Sequence, residues 1–122
     1  MRFFLFISIC YFSLSLHSAM AQGHSPYCMH AKSTADNQAC LKRHLESAQK
    51  RLNDIYTKLT DTLEGEALET LQVLQKSWLD YRDKECSWEM SLSESPALKR
   101  ADELSCIARI TEDRADILTV AL

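Results

Sequence analysis

A chain of 122 residues has room for one domain. With only two glycines and two prolines it lacks the turn supply of a β-sandwich and the glycine-rich loop of a phosphate site. Fourteen basic against seventeen acidic residues give a net charge of −3, which argues against nucleic-acid binding, because phosphate contacts need clustered Lys and Arg.

The N-terminus reads as an export signal. Arg2 is a minimal basic start, and Phe3 to Leu16 is an almost unbroken apolar run. That run is shorter than the ~20 residues needed to cross a bilayer, which favours a signal peptide over an uncleaved anchor. Ala19 and Ala21 put small residues where a signal peptidase reads, so cleavage is predicted after Ala21. Residues 1–21 are then the signal peptide, and 22–122 form a single helical domain. Cys10 lies inside the apolar run and does not look like a lipid-attachment cysteine. The new terminus, Gln22-Gly23-His24, has the nitrogen donors for a square-planar Cu(II) or Ni(II) site unless Gln22 cyclises. A floppy tail is the plainer account, and no cofactor is expected.

Cleavage removes Arg2 and Cys10, leaving a net charge of −4 and four cysteines, Cys28, Cys40, Cys86 and Cys106. An even set in a small exported domain reads as two disulfides with three possible connectivities. The absence of any C-x-x-C pair argues against zinc.

Three helices follow in chain order. The first is predicted from about Ala35 to Leu63, capped by Ser33 or Thr34. Its apolar stripe is Leu41, Leu45, Ala48, Leu52, Ile55, Leu59 and Thr62/Leu63, at spacings of three and four. Glu46 with Lys50 and Asp54 with Lys58 are the expected pairs on its solvated face. Gly65 marks the turn. The second helix is predicted from about Glu66 to Leu92, with the stripe Ala67, Leu71, Leu74, Trp78, Tyr81 and Trp88. Ser95-Pro96 opens the third, with Ala97, Ala101, Leu104, Ala108, Thr111, Ala115 and Leu118 inward. Short connections make these helices antiparallel neighbours, so the expected fold class is all-α: a small three-helix up-down-up bundle with two disulfides.

Charge concentrates on the second helix, where Glu64 to Glu94 holds eight acidic and three basic residues. The plain reading is a solvated face; the sharper one is a surface that steers a cationic partner. Lys42-Arg43 and Lys50-Arg51 share one side of the first helix and are expected to be balanced by nearby acids. No nucleophile elbow, HExxH motif or phosphate loop is present, so no catalytic residue is assigned and an enzyme is not expected. His44, beside Arg43, reads as a surface histidine.

The motifs resemble one family. Cys28 and Cys40 stand twelve apart around a helix start, and Leu52-Asn53-x-x-Tyr56 follows. Leu74-Gln75-x-x-Trp78-Leu79-x-Tyr81-Arg82-Asp83-x-x-Cys86 is the most specific block, and Cys106 with Thr111-x-x-Arg114 and Leu118 completes the set. From Cys28 to Leu118 the chain resembles the N-terminal domain of the LprI-type lysozyme-inhibitor family, long catalogued as a domain of unknown function. Read from spacing alone, Trp78, Tyr81, Arg82 and Cys86 share one helical face, with Trp78 in the core and Arg82 paired to a carboxylate or a helix-end carbonyl. Asn53 and Tyr56 read as polar members of an inter-helix network.

Hairpin register brings Cys86 near Cys106, but it brings Cys40 near Cys86 as well. The resemblance implies the local pairing, Cys28–Cys40 with Cys86–Cys106. It also implies an exported helical protein, periplasmic or secreted, that binds and inhibits lysozyme-type muramidases. Asp80, Asp83, Glu85 and Glu89 are the candidate residues for steering a basic enzyme or another envelope protein, with Trp88 as the apolar anchor. The alternative is a non-enzymatic envelope interaction or accessory module. No nucleic-acid partner is expected, and no membrane span after cleavage.

Overall fold

A computed structural model describes residues 26–122. The expected signal peptide, Cys10 and the Gln22-Gly23-His24 terminus lie outside the described residues. A 3₁₀ turn at Pro26–Cys28 leads into three helices, α1 (Thr34–Thr62), α2 (Gly65–Ser91) and α3 (Pro96–Thr119). The residues form these elements for local reasons. Ser33, rather than Thr34, caps α1 by accepting the Asp36 N–H at 3.1 Å. Gly65 supplies the left-handed turn, with φ of 57°. Ser95 caps α3 by accepting the Leu98 N–H, and Pro96 occupies its first turn, where no N–H donor is missed.

Cross-helix partners give the topology. From Gln38 with Ala97 through His44 with Glu112 to Arg51 with Asp116, both residue numbers rise together, so α1 and α3 run parallel. From Gln75 with Arg114 through Cys86 with Cys106 to Ser93 with Asp102, one number rises as the other falls, so α2 and α3 are antiparallel. The direction is up-down-up.

The helices are not all equal neighbours, however. α3 packs against both others, whereas α1 and α2 barely approach each other. The reason lies in the faces. The α1 stripe is single, and its buried members Leu41, Ala48, Leu52, Ile55 and Leu59 are taken up by α3. α3 has two buried sides: Ala101, Leu104, Ala108, Thr111, Ala115 and Leu118 form one, and Cys106 with Ile110 the other. Its first turn departs from the expected stripe, since Ala97 is exposed. Near Gly65, Leu71 joins Leu52, Ile55, Leu59, Ala115 and Leu118 in one cluster, flanked by Tyr56, Leu63 and Trp78. At the other end Cys28 packs with Leu41, Ala101 and Leu104.

The bridges are Cys28–Cys40 and Cys86–Cys106. The rival Cys40–Cys86 pairing fails because α1 and α2 diverge from their turn.

The expected α2 stripe needs correction. Leu71 is buried and Trp78 half-buried, but Ala67, Leu74, Tyr81 and Trp88 face solvent. The face on α3 is instead Leu71, Gln75, Trp78, Arg82 and Cys86, a step of three or four residues at each move. Tyr81 therefore does not share the face of Arg82. Adjacent residues on a helix stand about 100° apart. On α1, the acids choose the lysines before them: Lys50 meets Asp54 at 2.6 Å and Lys42 meets Glu46 at 4.0 Å, in place of the expected Glu46–Lys50 and Asp54–Lys58 pairs. Together with Arg51–Asp116 at 2.7 Å, these contacts partner three of the four residues in the basic pairs of α1; Arg43 enters no ion pair among the described residues.

Three outcomes check this packing. Ala108 is fully buried in the α1–α3 seam, so Ala108→Leu should lower the urea midpoint by an amount equivalent to about 1–3 kcal/mol. Leu74→Ala, at an exposed site, should stay within about 0.5 kcal/mol of the parent. Replacing Cys86 and Cys106 together by serine should cost about 2–4 kcal/mol in the same measurement.

Candidate interaction surface

The side chains singled out on α2 do not form one patch. At about 100° per residue, Glu85 stands about 60° to one side of Trp88 and Asp80 about 80° to the other. Asp83 lies about 140° away from Trp88, and Glu89 points towards α3. Three of the four acids already have cationic partners. Asp80 accepts from Lys84 at 2.8 Å, Asp83 accepts from both Nε and Nη2 of Arg82, and Glu89 meets Arg109 at 2.7 Å. Glu85 is half-buried. The field of α2 is thus weaker than its formal charge. Trp88 is 59% exposed and is not covered by α1.

Trp78 is the junction between the helices. The Arg82 and Arg114 guanidiniums lie 5.3 Å and 5.9 Å from its ring centre, within cation–π range. Arg114 Nε also donates to Gln75 Oε1 at 3.1 Å, and burial pulls the Arg114 pKa below its ordinary value. Arg82 pairs with a carboxylate as its spacing predicts. Tyr56 is half-buried against the adjoining core, but Asn53 is exposed, and neither enters a side-chain hydrogen bond among the described residues. The expected polar network therefore passes through Gln75 and Arg114 instead. Both were visible as motif residues, but nothing in their spacing revealed that they meet.

His44 is not a free surface histidine. Its side chain is only 14% exposed, stacks on Tyr27 with ring centres 4.0 Å apart, and lies 3.4 Å from Glu112. Tyr27 precedes α1 in a segment without helical periodicity, so no sequence pattern could foretell this contact. The nearby Glu112 carboxylate raises the Tyr27 phenol pKa.

The surface is hollowed beside the Cys28–Cys40 bridge, between Tyr27, His30, Lys32, Asp36 and Arg43. A second hollow runs along α1 past Lys50, Arg51, Asp54 and Lys58 to Leu122. Both have walls of mixed charge, and neither includes an α2 residue. Among the described residues no three His, Cys, Asp or Glu side chains group as a metal site. The outward side of α2 is convex and carries large apolar side chains, which suits contact with another macromolecule more than enclosure of a small ligand.

Comparison with known proteins gives one result. A family model described as "Lysozyme inhibitor LprI" matches residues 28–118, from the first cysteine of the N-terminal bridge to the last buried leucine of α3. No curated protein and no solved structure matches. The match takes in both disulfides, all three helices except the last residue of α3, and the Trp78 junction, so the chain belongs to the LprI lysozyme-inhibitor family.

Proposed function

We propose that the chain is an exported protein that binds and inhibits lysozyme-type muramidases. The observation that carries this reading is the family match over residues 28–118. The two disulfides support export, since such bonds persist in oxidising compartments such as the periplasm or the cell exterior. No helix among the described residues is long and apolar enough to cross a membrane. Residues 1–21 act as the cleaved signal and residues 22–122 as the working domain. Export delivers the domain to the compartment where muramidases attack the wall.

The chemistry of inhibition is binding, with no covalent step. A basic enzyme approaching an acidic helix is steered by long-range attraction, while affinity comes from an apolar anchor shielded from water. Asp80, Asp83, Glu85 and Glu89 supply the field, and Trp88 supplies the anchor.

Lysis of a bacterial cell-wall suspension by lysozyme, with and without the mature domain, tests the proposal. Lysis should slow at micromolar protein in low salt, and unchanged lysis refutes inhibition of that enzyme. Changing the four acids together to Asn and Gln should lower the association rate about tenfold at low salt, with little change at high salt. An unaltered rate keeps the function and refutes the steering.

A further inference from the structure

We infer that the muramidase meets this chain along one line of α2, Leu74–Tyr81–Trp88, which lies lengthwise in the enzyme's substrate cleft. The inference rests on the inhibitor reading above and names its contact surface.

The three side chains are spaced seven residues apart, so each stands almost directly above the last, with a drift of about 20° per step. They are 53%, 54% and 59% exposed. Solvent exposure of three large apolar groups in one row has a structural origin. α2 is packed on one side, by α3, while α1 leaves its flank uncovered. The row is about 21 Å long, from fourteen residues at 1.5 Å each.

Its shape and charge select the partner. The row is a ridge, and a ridge fits a groove, in the manner of an amphipathic helix docked by anchors at i and i+7. An enzyme that cleaves a polysaccharide has such a groove, with its two catalytic carboxylates set across the bound chain. Half-buried Glu85 borders the ridge on one side and Asp80, shared with Lys84, on the other, an acidic margin that suits a basic rim. A second copy of this chain fits less well, because pairing α2 with itself opposes two helices that each carry six acidic and three basic residues. Asp83 and Glu89 fall outside the contact.

The test measures lysozyme inhibition by the mature domain and by Tyr81→Ala, Trp88→Ala and Leu79→Ala. Leu79 lies about 160° around the helix from Tyr81 and serves as the control. The two ridge variants should each raise the inhibition constant at least tenfold with unchanged melting temperatures, and the control should match the parent. A soluble trimer of N-acetylglucosamine, which occupies the cleft, should compete with the domain. Ridge variants that inhibit as well as the parent, or inhibition indifferent to the trimer, overturn the inference and leave the inhibitor reading standing. A parent domain that fails to inhibit overturns both. A dimer in sedimentation that Tyr81→Glu dissociates gives the ridge to a second copy and overturns the inference.

Discussion

Close approach of α1 to α3 is the constraint on which the rest of this molecule depends. Ala48 on one side and Ala101, Ala108 and Ala115 on the other are buried to 5% exposure or less, and small residues let two backbones come near. Leucines then fill the space between them, with Leu41, Leu52 and Leu59 interleaved among Leu104 and Leu118. Thr111 is fully enclosed in this seam and its hydroxyl has no partner among the described residues, a departure from full pairing of buried polar groups. The two parallel helices form the rigid body of the domain, and their ion pairs lie at its margins.

α2 is attached to that body by different means. Its face on α3 contains Gln75, Arg82 and Glu89 among few apolar groups, so burial alone contributes modestly there. Attachment relies on a covalent bridge, the Trp78 ring between two guanidiniums, and polar pairs to Arg109 and Arg114. Small domains often supplement a limited core with such cross-links. Because polar and covalent links do the holding, large apolar side chains on the other side of α2 are not drawn inward.

Much of the fold was legible in the sequence, and the places where it was not have physical causes. The stripe of α1 and the larger buried side of α3 were readable because each is a continuous row at spacings of three and four, whereas the second side of α3, Cys106 with Ile110, is too short to stand out. α2 has two candidate rows about 90° apart: one pure in hydrophobicity, running through Leu74, Tyr81 and Trp88, and one mixed, running through Leu71, Gln75, Trp78, Arg82 and Cys86. The expected stripe drew on both rows, taking Leu71 and Trp78 from the mixed one, but tertiary structure chose the mixed row, which contains the cysteine that meets Cys106. Hydropathy cannot see a disulfide. The candidate site was legible only in part. Charge counting found the acids, but their distribution around the helix and their cationic partners depend on rotation and register. The contact of Tyr27 with His44 depends on a segment whose path is set by the Cys28–Cys40 bridge.

The placement of the bridges also determines what a broken chain would do. Proteases cut a chain at its exposed turns. The turn after Ser91 is enclosed by Cys86–Cys106, so a nick between Leu92 and Ser95 leaves both fragments covalently joined and the α2–α3 hairpin intact in connectivity. The segment before α1 is enclosed by Cys28–Cys40 and is protected in the same sense. The turn at Leu63-Glu64-Gly65 is spanned by neither bridge. A single cut there divides the molecule into α1 and a cross-linked α2–α3 unit, held together only by non-covalent contacts, chiefly the α1–α3 seam. Among the described residues the covalent map therefore has one vulnerable joint between elements, and it lies at the opposite end of α2 from Trp88.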